Sequence, residues 1–349
     1  MKIIVIPDVL SVITLELIRP RSCKHPKNPQ PDQQHLVDLI TSDGQTITDN
    51  LTWKRYQDDL ESSRIKLSSS GVEDTELLFH YTSAEACFSI IEIPRGSEQG
   101  PSLWASCALG MNDAREIRYG IDVVYQIASK HVPKEELDLS FAKHKKYDEY
   151  AKVSFFEQTC IACFCDKPDL LSQWRAYGKD ATGYCIGFRR DALVSTGSQA
   201  GFNLVPIIYD RESQLQKVNN LFEETAAIIQ REHPQPEWRF WRMTIDAATK
   251  LSLGFKHASF SEEREWRLIS KQNPRSLKFR AGRSGVIPYV QLSFPKDALA
   301  SIWQGPTLDH DLTRRTLEMY LAGTYGMNFK NEYIVQVRGS EIPLRKLEN

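Results

Sequence analysis

The chain lacks a strong charge of either sign, a long apolar run, a disulfide pattern and an internal repeat, and each absence excludes something. Its 44 Lys and Arg against 45 Asp and Glu leave a formal charge of −1. No global field therefore draws it to nucleic acid or to a membrane surface, although a local basic patch is compatible with that total. The most apolar stretch, MKIIVIPDVLSVITLELI, carries Pro7, Asp8 and Glu16. It is too short and too charged to span a bilayer, which takes about 20 apolar residues. No small-residue cleavage site follows it, so a buried strand or pair of strands is expected rather than a signal peptide. Seven cysteines, an odd number without regular spacing, suit a reducing cytoplasm.

What is present is a globular composition. Of the 349 residues 41% are hydrophobic and 10% aromatic, enough for a substantial core. The cluster Cys160-Ile-Ala-Cys163-Phe-Cys165 invites a metal reading, but a strand would turn Cys163 and Cys165 one way and Cys160 the other. No second CxxC or HxxxH pair completes a tetrahedral set. The cysteines read as small hydrophobes of a core strand, and no metal is expected.

Breakers divide the chain. The segment Arg19–Gln34 (RPRSCKHPKNPQPDQQ) holds four prolines and reads as a linker or extended arm. A hairpin signal at Ser42-Asp43-Gly44-Gln45 and a helix beginning near Asp49 follow. The run Ser68-Ser69-Ser70-Gly71 places a boundary between an N-terminal extension, 1–71, and a main domain, 72–349. In the main domain, strands are expected at 77–83, 103–106, 159–164, 183–188, 286–292 and 333–337. Helices are expected at 84–91, up to Lys130, at 134–153, over much of 212–256 with a break at Pro234 and Pro236, and at 312–321. Strands dispersed among helices without strict βαβ repetition indicate an α+β fold with a mixed, mainly antiparallel sheet.

Three constellations carry chemistry. On a strand, His80 and Thr82 share a face, and an imidazole beside a hydroxyl can grip a ribose; the plainer alternative is a histidine that satisfies a buried carbonyl. Gln173-Trp174-Arg175-Ala176-Tyr177-Gly178 combines ring faces, an amide and a planar cation, a set able to hold a planar ring and a phosphate. Its plainer reading is a core Trp174 with a surface Arg175. The third, SFSEEREWRLIS (Ser259–Ser270), reads as one strand in which Glu263, Glu265 and Arg267 share a side. Two carboxylates aimed at one place repel unless cations neutralise them. Either Arg264, Arg267 and Lys256 form an ion-pair ladder with them, or a positive ligand visits.

The combination HYTS, LWAS, MNDAREIRYG, CFCDKPDLLSQWRAYG, GYCIGF, FSEEREWRLI, IPYVQL and SEIPLR resembles the bacterial family known as domain of unknown function 2971, over about residues 77–345. A strand with His-x-Thr and a late Glu-x-Glu is also similar to the ADP-ribosyltransferase fold. That resemblance implies a sheet core of that kind with helical insertions. It implies that His80 and Thr82 hold NAD, that Glu265 steadies the cation formed as nicotinamide leaves, and that Glu263 orients the acceptor. Trp104 and Tyr177 are candidates for the ring that stacks on nicotinamide, and Gln173 and Arg175 for further NAD contacts. NAD would be a substrate and the acceptor a protein or nucleic acid, in a cytoplasmic toxin or antiphage effector without membrane contact. The alternatives are a metal-dependent nuclease, using Glu263 and Glu265 with Asp113 or Asp169, and a non-catalytic nucleotide or peptide recognition module. The geometric expectation is that His80 and Glu265 meet across a cleft bordered by the Trp174–Tyr177 segment.

Overall fold

The computed structural model describes residues 76–94, 97, 99–108, 114–145, 159–179, 181–232, 237–282, 285–306, 308–327 and 334–344. All of them lie in the unit Ser63–Asn349. The expected N-terminal strand, linker, hairpin and helix, and Asp113, lie outside the described residues.

Ten strands form one sheet: β1 (Leu77–Thr82), β2 (Gln99–Cys107), β3 (Thr159–Cys165), β4 (Tyr184–Arg189), β5 (Asn203–Pro206), β6 (Glu265–Lys271), β7 (Lys278–Gly282), β8 (Gly285–Pro295), β9 (Leu299–Gln304) and β10 (Gln336–Gly339). The helices are α1 (Ala84–Ile91), α2 (Ala114–His131), α3 (Lys134–Lys145), α4 (Leu171–Ala176), α5 (Arg190–Gln199), α6 (Arg211–Glu232), α7 (Trp238–Ser252) and α8 (His310–Thr324). Strand pairing is antiparallel except for β9 with β10, so the α+β class with a mixed, mainly antiparallel sheet holds. The strand order is β10-β9-β4-β1-β3-β2-β8-β7, with β6 on β3 and β5 on β6.

The junction at β3 positions everything that follows. Along one edge β3 pairs with β6 from Thr159 to Cys165. Its other edge is shared: β2 takes Cys160 and Ile161, and β1 takes Cys165. The sheet therefore splits beside Ala162–Phe164 into one arm of β1, β4, β9 and β10 and another of β2, β8 and β7. One core holds both arms, with Leu78, Ile186 and Ile302 from the first, Leu103, Ala105 and Leu292 from the second, and Ala162, Phe164 and Leu268 from the junction. Helices α1 and α5 contribute Ile90, Ile91 and Leu193 to it.

Local chemistry explains the ends of elements. Ser83 caps α1 by accepting from the Ala86 amide at 3.2 Å, and Asp309 caps α8 through the Leu312 amide at 3.1 Å. The long helical stretch is broken into α6 and α7 around the two prolines. Two expectations need correction. The last strand runs from Gln336 to Gly339 rather than from Tyr333. The acidic stretch is not one strand: Ala258–Glu263 form a 3₁₀ turn, Arg264 is left-handed at φ 50°, and only then does β6 begin. The Arg264 amide donates to the Ser261 carbonyl, so the turn closes on itself before the strand starts.

Candidate functional site

Each strand has two faces, and the register assigns the side chains. Phe79 lies opposite Cys165, and Cys165 opposite Glu265. Side chains directly opposite across a ladder share a face, so Phe79, Tyr81, Cys163, Cys165, Glu265 and Arg267 lie on one side. Leu78, His80, Thr82, Phe164 and Leu268 lie on the other, the side of the main core. Cys160 joins that core, as alternation requires.

His80 and Glu265 therefore do not meet: the sheet separates them. His80 has a different task. Its Nδ1 donates to the Cys163 carbonyl at 2.9 Å, an acceptor on the β3 edge that neither β1 nor β2 covers. Burial lowers the imidazole pKa, against the opposing pull of that hydrogen bond, so the ring is neutral at pH 7. Thr82 is buried on the same side. The plainer alternative for the histidine is the one the structure takes.

On the opposite face the two acids do converge, but on a lysine of the chain. Lys256 Nζ donates to Glu263 Oε2 at 2.6 Å and to Glu265 Oε2 at 3.2 Å, with the lysine side chain only 3% exposed. Strand alternation brings Glu265 there, whereas Glu263 arrives from the 3₁₀ turn. Arg267 grips Glu265 with two nitrogens, Nε to Oε1 at 2.7 Å and Nη2 to Oε2 at 2.9 Å. Its third nitrogen donates to the Leu253 carbonyl at 2.9 Å. Arg264 turns away and pairs with Asp166, Nη2 to Oδ2 at 2.8 Å. Burial works against the charge of Glu265, but Arg267 and Lys256 outweigh it and hold its pKa at about 2.

The frame around the cluster is polar. Buried Gln214 on α6 donates to the carbonyls of Ile208, at 2.6 Å, and Lys256, at 2.9 Å, and so fixes the lysine's backbone. The Glu265 amide donates to the Tyr209 hydroxyl at 2.9 Å. Neither Gln214 nor Tyr209 stands out in sequence, because the chain brings them in from more than forty residues away. Lys256 has a signal: it is the one charge in Leu251–Ser259 (LSLGFKHAS).

The α4 segment divides between the two readings. Trp174 is core, fully buried, with its Nε1 donating to Asp169 Oδ1 at 2.7 Å. Gln173 is buried and Arg175 exposed. Tyr177, at the end of the helix, is 45% exposed. Burial of its hydroxyl raises its pKa, and the negative charge of Glu263 pushes the same way. Trp104, also 45% exposed, comes from β2. Ser106 lies opposite Ile161, so alternation puts Trp104 on the face of Cys163 and Glu265. Of the expected site residues, Trp104, Tyr177, Glu263 and Glu265 share this side, and His80 and Thr82 do not.

Fold and site together define an α+β protein whose split sheet carries a buried ionic cluster flanked by exposed rings. Residues 173–268, which include QWRAYG, GYCIGF and REWRL, match the model of a family described as "Protein of unknown function (DUF2971)", in support of the resemblance carried by the motifs. No curated protein and no solved structure matches the chain. Among the described residues, no helix is long and apolar enough to cross a membrane.

Proposed function

We propose that the protein breaks the bond between nicotinamide and ribose in NAD and passes ADP-ribose to a macromolecular acceptor or to water, as an ADP-ribosyltransferase or NAD glycohydrolase. The observation that carries this reading is one side of the sheet bearing two half-exposed rings, Trp104 and Tyr177, together with two carboxylates held by fixed cations. A ring face suits nicotinamide. A pre-placed carboxylate stabilises positive charge that appears on ribose only in the transition state. The C–N bond breaks with its electron pair leaving on nicotinamide. The acceptor or water then attacks the ribosyl carbon and gives up its proton.

Exposure reverses the roles that the resemblance implies. Glu265 is gripped by Arg267 and Lys256, and its side chain is 9% exposed, so little of its field remains for a ligand. Glu263 is 20% exposed on the same lysine. In this reading Glu263 faces the ribosyl cation, and Glu265 is a positioning residue that fixes Lys256. His80 holds the split of the sheet and takes no part in binding NAD.

A second reading, recognition of a nucleotide without turnover, has one observation in its favour. Glu263 and Glu265 are matched by Lys256 and Arg267, so the cluster needs no ligand to complete it. The nuclease reading has less. Among the described residues no group of three or more His, Cys, Asp or Glu is placed to hold a metal ion, and Asp169 accepts from Trp174, Ser340 and the Glu341 amide. Nicotinamide release from NAD by the purified protein, with and without cell extract, separates the readings. Release is expected. ADP-ribose binding with no release under either condition would leave recognition standing and overturn catalysis.

A further inference from the structure

The outer arm of the sheet carries a basic, aromatic ledge that shares only Trp104 with the carboxylate site. Arg280 on β7 reaches back over β8 and lies with its Cζ 5.6 Å from the centroid of the Trp104 ring. Tyr289 packs on the same indole, centroid to centroid 4.7 Å. Arg280 Nη2 donates to Ser106 Oγ at 3.0 Å, while its Nε is buried with no acceptor among the described residues. Lys278, two residues earlier on the same face, donates to Gln291 Oε1 at 2.9 Å. Strands β2, β7 and β8 contain no Asp or Glu at all. A guanidinium that pairs with no carboxylate among the described residues and lies over an indole suits an anion with several acceptor oxygens, which its Nη groups can meet. The partial burial strengthens that preference, because a charge withdrawn from water gains more from a counterion.

We infer that this ledge binds the phosphate-bearing part of a small nucleotide, with Trp104 shared between the ledge and the carboxylate site. The inference rests on the reading of that site as a nucleotide site and gives its substrate class: a phosphorylated nucleotide rather than a free nucleoside. Phosphate oxygens take the Nη end of the Arg280 fork, Lys278 adds a second positive charge, and the exposed indole, backed by buried Tyr289, supplies apolar contact for a neighbouring ring or sugar. Arg175, the phosphate candidate of the α4 segment, is not needed for this.

The test is titration calorimetry of the whole chain with ADP-ribose, with adenosine and with a ten-nucleotide single-stranded RNA. It is run on the wild type, Arg280→Gln and Arg280→Lys, with thermal unfolding alongside. Loss of a charge-assisted bidentate contact should weaken ADP-ribose by about 10–100-fold in Arg280→Gln. Arg280→Lys should recover part of that, since a point charge replaces the fork, and adenosine should change less than about twofold. Should Arg280→Gln unfold, the wild type still decides: ADP-ribose binding must fall with added salt while adenosine binding does not. Undetectable ADP-ribose binding, or equal binding by all three proteins, overturns the inference. So does RNA binding that is tighter than ADP-ribose and equally dependent on Arg280, which would mark a nucleic-acid platform. The same samples report nicotinamide release from NAD. Arg280-dependent binding of ADP-ribose without release keeps the ledge and removes catalysis; release with Arg280-independent binding does the reverse.

Discussion

Lys256 decides how the two acids behave. Its Nζ touches both carboxylates, and it is nearly sealed from solvent. Replacing it with Met leaves Glu263 and Glu265 facing each other with one cation fewer. Removing one member of a buried ionic group costs about 3 kcal/mol or more, so Lys256→Met should lower the midpoint of denaturant unfolding clearly. Lys256→Arg should recover part of it. An unchanged midpoint would show that Arg267 alone satisfies the acids. The convergence of Glu263 and Glu265 was legible in sequence, but for half the right reason. Alternation accounts for Glu265 and Arg267; Glu263 comes from a turn that the pattern Ser-Glu-Glu-Arg hides, because Arg264 takes a left-handed conformation usual for glycine or asparagine. His80 shows the opposite limit. Its face on β1 was correctly read, and its partner was not, because the uncovered Cys163 carbonyl exists only where the sheet splits.

The splitting of β3's edge between β1 and β2 is the element on which the site depends, and the far end of β1 is fixed by a close backbone approach. At Gly183, just before β4, an added Cβ would stand 2.2 Å from the Thr82 carbonyl and 2.9 Å from the Gly178 carbonyl. Gly183→Ala must push the end of β1 away from the segment that follows Tyr177. Overpacking of this kind costs about 1–3 kcal/mol. The expected result is a lower unfolding temperature together with weaker ligand binding, since Tyr177 shifts with that segment. Wild-type stability would mean the contact relaxes freely. Most elements were legible from periodicity and breakers: β1, β2, β3, β4 and β8, the helices α1, α2, α3 and α8, and the break between α6 and α7. The strands β5, β7 and β9 and the helix α5 were not, being short or without a marked pattern (the strand SFSEEREWRLIS was expected where a turn precedes β6). No local signal could show that β1 and β2 share one edge of β3, because that pairing joins residues more than fifty positions apart.

For the whole molecule, the buried cluster predicts an acid limit to stability. Glu265 has its folded pKa lowered from 4.5 to about 2. A carboxylate held lower in the folded state contributes stability that is fully present above the unfolded value and lost as the pH falls toward the folded one. That difference corresponds to on the order of 3 kcal/mol, present at neutral pH and lost between about 4.5 and 2. Unfolding measured across that window should show wild type losing stability and Glu265→Gln losing much less, from a lower starting point. Parallel losses in both proteins would place the acid sensitivity elsewhere. The central claim concerns chemistry on the face shared by Trp104, Tyr177 and the two acids, and one comparison tests it most directly: nicotinamide release from NAD by wild type and by Glu263→Gln, at matched folded concentration. If Glu263 meets the ribosyl cation, its neutral isostere should cut the rate by about 10²–10³ and change NAD binding far less. Release at the wild-type rate from Glu263→Gln, or no release from the wild type itself, would contradict the account.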